Sequence, residues 1–290
     1  MVQLAAQSLT PAVDAWLRRA SRVRVHHIFE HVVNLNAGIE IVSLVTPEIG
    51  NGPFNVVLPA CDFRRHVSLS STLTVIPNAL HIGDLAISLY SATRWNPCPP
   101  WSQLRSKQAR LRARIPVIRA VLQQHAPPGS WAHLVVELSA APKSSLDAHF
   151  ITCARRHWNN LYKAIINLDR FDCMEYAKQL VGLGNGLTPS GDDWLVGCAL
   201  AAQLNLPSPE TASLLLKTIG LVSSGTTLLS LNWLQAAVNG MCNEHWHRFF
   251  ASCLQADSDQ VCYQAALRIV EQGHSSGADA LAGYLATIER

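Results

Sequence analysis

Hydrophobic and polar residues follow two different periods along the chain, and the change between them falls near residue 100. Between Val23 and Leu89 apolar residues recur at every second position, as in Ile39 and Ile41, and glycines and prolines separate these runs as turns. Short strands at this spacing predict an antiparallel sheet or a partial barrel. Residues 10–20 precede them as a short amphipathic helix that opens on a Thr-Pro pair.

Beyond residue 100 the pattern becomes helical. Three prolines within 97–100 predict a linker over 94–100, because proline continues neither periodicity. The predicted helices are 101–125 (with a break or kink at Pro116), 130–140, 144–167, 171–181, 190–205, 208–223, 226–239, 243–255, 258–272 and 276–289. Short connections predict antiparallel packing in a bundle. The sequence thus predicts an α+β protein: a small β-rich N-terminal domain over 1–100, then a larger all-α domain over 101–290.

Composition narrows the class of protein and its partners. A chain of 290 residues with 49% hydrophobic and 15% charged residues indicates a globular protein, not a disordered one. A net charge of +3 is too small to indicate nucleic-acid binding. The basic stretch 105–119 contains no acid and no interleaved aromatic, so we interpret it as a solvated face. A subunit contact or an approach for an anionic ligand comes second.

The cysteines and the N-terminus predict the cellular compartment. The eight cysteines include no C-x-x-C pair, and several lie in apolar helical patterns. The first 24 residues lack the features of a signal peptide, and no apolar run approaches membrane-spanning length. We therefore expect a soluble, cytoplasmic protein without disulfides and with no membrane partner.

The stretch 182–193 concentrates the candidate chemistry, since it contains four glycines and ends in two adjacent acids. Its continuation reappears later in the chain: residues 190–197 and 276–283 both read S-G-x-D-x-L-x-G, and 223–230 is a weaker third copy. Each copy predicts a helix start, and helix N-termini favour anions. We therefore expect these starts to converge on one pocket, with Asp192, Asp193 and Asp279 at its rim. The alternative is that each acid is an ordinary first-turn cap.

The glycine spacing excludes two phosphate-binding loops. Gly186 and Gly191 have the spacing of a P-loop, but Asp192 stands where the lysine must be, and a carboxylate there would repel phosphate. The glycines at 182, 184 and 186 follow a helical segment, so the dinucleotide fingerprint does not fit either. An anion nest and a carboxylate-held Mg²⁺ both remain open.

Histidine-containing groups are weaker candidates. His274 with Ser275, Ser276 and Asp279 supplies the residue types of a nucleophilic triad, but closeness in sequence is not triad geometry. We interpret His274 as a polar residue at a helix start or as a substrate contact. The pairs at 27 and 31 and at 245 and 247 lack a convincing third metal ligand, so we expect surface or packing histidines.

The motif G-x-G-L-T-P-S-G-D-D-x-L-x-G at 184–197 resembles the AllH-like family, long known as a domain of unknown function. Residues 273–283 and 226–240 fit the same family, and 33–35 and 50–53 fit it more loosely. The resemblance therefore covers most of the chain. It implies a subunit of oxamate carbamoyltransferase, which converts oxalurate and phosphate into oxamate and carbamoyl phosphate in anaerobic allantoin breakdown, a branch of purine catabolism.

The same resemblance implies partners, whereas the candidate site is predicted from the residues themselves. The enzyme is expected to need further subunits, one of them FdrA-like and similar to acyl-CoA synthetase. Asp192 and Asp193 are the expected catalytic residues, and Asp192, Asp193 and Asp279 the expected ligands of Mg²⁺. The residues expected to bind the small anionic substrate (oxalurate, carbamoyl phosphate or phosphate) are Gly184, Asn185, Gly186, Thr188, Ser190, Gly191, His274, Ser275, Ser276, Gly277 and Asp279.

Two other functions remain open at the level of sequence. In the first, the chain is a non-catalytic scaffold of a carboxylase or acyl-transfer complex, and its glycines serve only close helix packing. In the second, it is a stand-alone Mg²⁺-dependent hydrolase that uses Asp192 and Asp193. No lysine or arginine lies inside the motif, so the charge partner of a bound phosphate is unassigned.

Overall fold

The computed structural model describes residues 1–142, 144–206, 208–255 and 258–290. The chain forms two compact units. One contains Met1–Pro97 with Cys242–Glu244, and the other contains Cys98–Met241 with His245–Arg290. The first unit is rich in strands and the second is helical, which confirms the predicted α+β fold class.

The first unit contains two sheets and a leading helix. Its elements are β1 (Val2–Ala5), β2 (Ser8–Leu9), α1 (Pro11–Arg19), β3 (Arg24–Ile28), β4 (Val32–Ala37), β5 (Glu40–Val45), β6 (Asn55–Val57), β7 (Leu73–Ile76), β8 (Ala79–Ile82), β9 (Leu85–Ser88) and β10 (Thr93–Arg94). The six-stranded sheet has the order β10-β2-β6-β5-β4-β3, and the four-stranded sheet has the order β1-β9-β8-β7. Pairs β1–β9, β2–β10 and β5–β6 are parallel, so both sheets are mixed.

Local sequence explains the helix and the central strand of this unit. The Thr10 hydroxyl accepts a hydrogen bond from Val13 N at 3.2 Å, which caps α1 as its Thr-Pro opening predicts. Helix α1 then buries Trp16 and Leu17 in the core. Strand β5 is buried at every position after Glu40, because its neighbours and the core cover both of its faces.

The second unit is built from helices. They are α2 (Trp101–Ser106), α3 (Gln108–Ala113), α4 (Ile115–His125), α5 (Ser145–Ile166), α6 (Arg170–Leu180), α7 (Ser190–Ala202), α8 (Pro209–Val222), α9 (Leu228–Val238), α10 (Glu244–Gln255), α11 (Asp259–Val270) and α12 (Ser276–Ile288). From α5 onward their bounds follow the predicted ones closely. Helix α10 begins in the short segment assigned to the first unit.

Two predicted helices differ from the structure. The predicted helix 101–125 is three short helices, with breaks at Lys107 and Arg114, and Pro116 lies in the first turn of α4 where proline is tolerated. The predicted helix 130–140 is wrong, because only a 3-10 turn, Trp131–Leu134, forms there. Two consecutive β-branched valines follow that turn and disfavour its continuation.

Arginines of the basic stretch 105–119 also make hydrogen bonds and an ion pair with the ends of other helices. Arg105 donates to the carbonyl oxygen of Gln203 at the end of α7 (2.9 Å), and Arg110 donates to the carbonyl oxygen of Leu254 in the last turn of α10 (2.7 Å). Cations suit helix C-termini, where carbonyl groups lack helical partners. Arg119 adds a two-pronged ion pair with a glutamate after α12. These arginines therefore attach α2–α4 to the rest of the bundle.

Two further observations bear on the expected compartment. Five of the eight cysteines are buried. Burial raises the pKa of the Cys198 thiol to about 12, which makes it an inert packing residue. Within the described part of the chain, no helix combines the length and the apolar character needed to cross a membrane.

Candidate functional site

Helices α7 and α12, which carry the two S-G-x-D-x-L-x-G copies, pack directly against each other. A Cβ atom at Gly197 would overlap the carbonyl oxygen of Ala280, and one at Gly283 would overlap the carbonyl oxygen of Trp194. The equivalent glycine of each helix thus receives the backbone of the other, and only glycine leaves that room. The starts of the two helices lie close together, since the hydroxyl of Ser276 at the start of α12 is 2.8 Å from the hydroxyl of Thr188, two residues before α7.

Asp193 and Asp279 hold equivalent positions in the two copies, and both are buried. Burial raises the pKa of Asp193 well above its usual range, and the nearby Asp279 carboxyl raises it further. The hydroxyl of Ser276 acts in the opposite direction on Asp193, and the hydroxyl of Ser190 does so on Asp279. Each acid is therefore influenced by the first serine of the other helix.

Asp279 connects three parts of the site. Burial raises its pKa to about 7, although the backbone N–H of Trp131 donates to its Oδ1 atom at 2.6 Å. The hydroxyls of Ser190 and Ser275 also lower this pKa. Its Oδ2 atom is buried and has no hydrogen-bond partner among the described residues. Asp279 thus fixes the 3-10 turn at Trp131 against the starts of α7 and α12.

Asp192, next to Asp193 in the chain, has a different environment. Its Oδ1 atom accepts from the N–H of Gly182 at 2.8 Å, and its Oδ2 atom accepts from the hydroxyl of Thr226 at 2.5 Å. Burial raises its pKa, while these hydrogen bonds lower it. Both carboxylate oxygens are engaged inside the protein. Asp192 therefore anchors the glycine-rich loop to the third copy of the motif.

The third copy completes the arrangement at the start of α9. Thr227 caps this helix by accepting from Ser230 N at 3.2 Å, and its hydroxyl donates to the carbonyl oxygen of Leu187 at 2.6 Å. On the other side of the loop, the hydroxyls of Thr188 and Ser276 lie 2.8 Å apart. The loop over 182–189 is thus held between the starts of α7, α9 and α12.

A cavity of about 310 Å³ opens beside this loop. Its wall contains Pro127, Pro128, Gly129, Trp131, Asp147, Phe150, Gly184, Asn185, Gly186, Ser190, His274 and Ser275. Six of these were predicted as substrate contacts: Gly184, Asn185, Gly186, Ser190, His274 and Ser275. The other predicted residues, Thr188, Gly191, Asp192, Asp193, Ser276, Gly277 and Asp279, lie outside that wall.

Sequence reasoning missed the part of the wall formed by Pro127, Pro128, Gly129, Trp131, Asp147 and Phe150. Two local signals were present. A Pro-Pro-Gly turn precedes the buried Trp131, and Asp147 is an acid in the first turn of a predicted helix. Neither signal says which other segment of the chain it will meet.

Two glycines of the motifs are explained by packing. A Cβ atom at Gly191 would overlap the carbonyl oxygen of Leu180, and one at Gly277 would overlap the carbonyl oxygen of Ile269. Gly184 has a different requirement, because its φ of +125° is one that side chains rarely allow. The glycine-rich loop therefore combines close backbone approach with a backbone conformation reserved for glycine.

The N–H groups of α7 are only partly available to a ligand. Gly191 N donates to the carbonyl oxygen of Leu183 at 2.8 Å, and Asp192 N donates to that of Pro189 at 2.9 Å. By contrast, none of the described residues accepts a hydrogen bond from the N–H groups of four residues in the cavity wall, namely Asn185, Gly186, Ser190 and Ser275. These amides, two of them at helix starts, can donate to an anion.

The three predicted Mg²⁺ ligands differ in the oxygen atoms that they have available. Within the described ranges, no three His, Cys, Asp or Glu side chains come together to hold a metal ion. Asp192 uses both oxygens internally, which leaves one unpartnered oxygen each on Asp193 and Asp279. Mg²⁺ is commonly held by one or two carboxylates together with waters, so the binding of Mg²⁺ by Asp193 and Asp279 stays a prediction.

These features define a class of protein in which a helical unit carries a small cavity at paired, glycine-rich helix starts. Comparison with known families identifies the protein family. Residues 180–288 match the oxamate carbamoyltransferase subunit AllH, and residues 5–94 match the AllH family N-terminal domain. The chain belongs to the AllH family, whose name indicates a subunit of oxamate carbamoyltransferase. No solved structure matches the chain.

Proposed function

We propose that this chain binds oxalurate in the cavity beside the glycine-rich loop and takes part in its phosphorolysis to oxamate and carbamoyl phosphate. One observation carries the proposal. The cavity wall contains Gly184, Asn185, Gly186 and Ser190 from the family motif at 184–197, and His274 and Ser275 from the one at 273–283, and both motifs lie inside the stretch that matches the AllH subunit. The family motif and the cavity therefore coincide.

The available N–H groups suit the chemistry of carbamoyl transfer. A phosphate oxygen attacks the ureido carbon of oxalurate, the bond from that carbon to the oxamate nitrogen breaks, and the phosphate proton goes to that nitrogen. Negative charge develops on the ureido oxygen during the attack. Preorganised N–H donors such as those of Ser190 and Ser275 stabilise such an oxyanion. The positive ends of α7 and α12 act in the same sense.

Phosphate needs more positive charge than this cavity supplies. Its described wall contains no lysine or arginine, and its ionisable side chains are Asp147 and His274. A phosphate dianion beside Asp147 would be repelled. In this proposal the cationic phosphate site therefore comes from another subunit of the carbamoyltransferase, such as the FdrA-like protein.

The buried acids act as positioning residues in this proposal. Asp192 holds the loop through Gly182 and Thr226, and Asp279 holds the Trp131 turn. None of the three acids of the motif lies in the cavity wall, so none is assigned a proton transfer with substrate. Their substitution should disturb the cavity through its shape.

A second candidate function is the non-catalytic scaffold. The observation that favours it is that four motif glycines, Gly191, Gly197, Gly277 and Gly283, are each explained by backbone packing. In that case the motif maintains the fold of a subunit whose partners perform the reaction.

Reconstitution of the complex with its partner subunits separates the two. Turnover of oxalurate and phosphate is measured for the unaltered complex, for Ser190→Pro, which removes the backbone N–H of this cavity-wall residue, and for Ser190→Ala, which keeps that N–H, as control. Ser190 is the first residue of α7, where proline is tolerated. We expect Ser190→Pro to lower kcat about tenfold or more relative to Ser190→Ala. Full turnover by a correctly assembled Ser190→Pro complex would favour the scaffold.

A further inference from the structure

We propose that Asp147 is a specificity-determining residue that receives the N–H donors of the substrate. The cavity would thereby select small carboxylates that carry a ureido or primary amide group. This inference rests on the proposed function, because it gives oxalurate its orientation in the cavity. It concerns a residue outside both motif copies.

The Asp147 carboxylate is free to act on a ligand. Asp147 lies in the first turn of α5, where its backbone N–H donates to the Ser144 hydroxyl at 3.0 Å. That bond satisfies the backbone and leaves the carboxylate uncommitted. Among the residues that the structure describes, none forms a hydrogen bond or an ion pair with the Asp147 carboxylate, which lines the cavity.

Gly129 keeps this carboxylate accessible. A Cβ atom at Gly129 would lie 3.5 Å from both Cγ and Oδ2 of Asp147. A methyl group there would contact the carboxylate without steric overlap and would cover one side of it. The absence of a side chain at Gly129 therefore leaves space next to the negative charge, within the same cavity wall.

The cavity thus offers two kinds of polar group. A carboxylate accepts hydrogen bonds and has no proton to donate, so Asp147 attracts N–H groups and repels a carboxylate or a phosphate. Of the four unpartnered amides, those of Ser190 and Ser275 are assigned to the ureido oxygen in the proposed reaction, and those of Asn185 and Gly186 remain to attract a carboxylate. A ligand that satisfies both has N–H donors at one end and a carboxylate at the other.

Size and shape agree with a small planar ligand. The volume of about 310 Å³ is at the small end of ligand cavities. The aromatic side chains of Trp131 and Phe150 line it and provide flat apolar surface. Oxalurate, which is planar and carries a terminal ureido group and a carboxylate, has the required features.

Calorimetric titration of the full chain with three probes tests this inference. Oxalurate has a ureido group and a carboxylate, oxamate has an amide and a carboxylate, and oxalate has carboxylates alone. We expect oxalurate to bind more tightly than oxalate. In Asp147→Asn, oxalurate affinity should fall about ten- to a hundredfold, as loss of a charge-assisted hydrogen bond implies. Oxalate affinity should stay the same or rise, because the repelling charge is gone.

Two further variants complete the experiment. Gly129→Ala should weaken oxalurate binding with Asp147 intact, and it decides the matter if Asp147→Asn does not fold. The control is Asp172→Asn, because Asp172 holds the same first-turn position in α6, with its N–H bonded to Asp169 at 3.0 Å, and lies outside the cavity wall. It should bind all three probes as the unaltered chain does.

The outcomes separate this inference from the proposed function. Equal loss of oxalurate and oxalate binding in Asp147→Asn, or no loss of either, would overturn the specificity role, as would failure of the unaltered chain to bind any ureido or amide probe. Turnover of oxalurate by the complex is measured independently. Binding with the expected selectivity but no turnover would contradict the proposed reaction and leave the recognition of N–H donors intact.

Discussion

Helices α7 and α12 start from the same eight-residue pattern, yet their surroundings differ. Both place a glycine against the backbone of the other helix and both bury an aspartate. Asp279 accepts a hydrogen bond from the backbone of Trp131, whereas Asp193 receives none from a backbone N–H in the described residues. The pKa of Asp279 is accordingly raised to about 7, and that of Asp193 is raised well above the usual range.

The difference separates packing from function within one motif. The glycines that the copies share make reciprocal contacts, as two equivalent halves must. The residues that meet the cavity are unequal: Ser190 and the glycine-rich loop before it contribute next to α7, and His274 and Ser275, which precede the second copy, contribute next to α12. The glycines that the two copies share therefore form the packed base of the site, whereas the cavity wall receives different residues from the two sides.

The largest expected effect on stability comes from substituting the glycines that the two copies share. Gly283→Ala forces a methyl group into the carbonyl oxygen of Trp194, and Gly197→Ala does the same at Ala280. Backbone cannot rotate away as a side chain can, so each substitution should destabilise the fold by about 4 kcal/mol or more, measured by denaturant unfolding.

Gly220→Ala is the matched control for these two variants. Gly220 lies inside helix α8, and a Cβ atom there would be 3.6 Å from a methyl of Val238, an ordinary contact. It should stabilise the protein by about 0.5–1 kcal/mol through helix propensity. If Gly283→Ala were as stable as Gly220→Ala, the close approach of α7 and α12 would be disproved.

A smaller effect tests the unequal environments of the acids. The pKa of Asp279 is raised to about 7, so the folded state holds its proton more tightly than the unfolded chain does. The stability from this proton is complete below about pH 4 and is lost as the pH rises to about 7. Asp279→Asn, which keeps an acceptor for Trp131 N, should remove this loss.

The measurement is the free energy of unfolding between pH 4 and pH 8. The stability of Asp279→Asn relative to the unaltered chain should rise over that interval by about 3 kcal/mol. Asp193→Asn should show the same sign, with a window that extends to higher pH because its pKa is raised well above the usual range. Parallel curves for Asp279→Asn and the unaltered chain would contradict the burial of a shared acid pair.

The smallest effect concerns the anchor of the loop. Thr226→Val removes the hydroxyl that donates to Asp192 Oδ2 and keeps the shape of the side chain. We expect a loss of about 1–2 kcal/mol in unfolding free energy. Thr152→Val is the control, since the exposed Thr152 hydroxyl only bonds back to Ala148 within its own helix. Equal stability of both variants would show that the Asp192 hydrogen bond contributes little.

The fold class could be predicted from local sequence because most helices and strands of this chain keep the hydrophobic periodicity of their type. It failed where local and tertiary preferences conflict. The turn at Trp131 is placed by its contact with Asp279, 148 residues away, and the β-branched pair after it prevents the expected helix. The parallel pairing of β5 with β6 also depends on tertiary arrangement.

The candidate site shows the same limit. The echo between 190–197 and 276–283 predicted that two helix starts would meet, because equal sequences have equal packing requirements. Nothing in the sequence near Asp147 indicates that it faces Gly184 and Ser190 across a cavity. Residues brought in from other segments of the chain are visible only once the chain is folded.

The contact of backbone with backbone between α7 and α12 has a mechanical consequence. No side chain lies at Gly197 or Gly283 to change rotamer and absorb a displacement, so we expect the two helices to be stiff against movement relative to each other. Their far ends are attached through Arg105 at Gln203 and through Arg119 at Glu289. The arginines of α2 and α4 therefore contact the ends of α7 and α12 that lie opposite the glycine-rich loop.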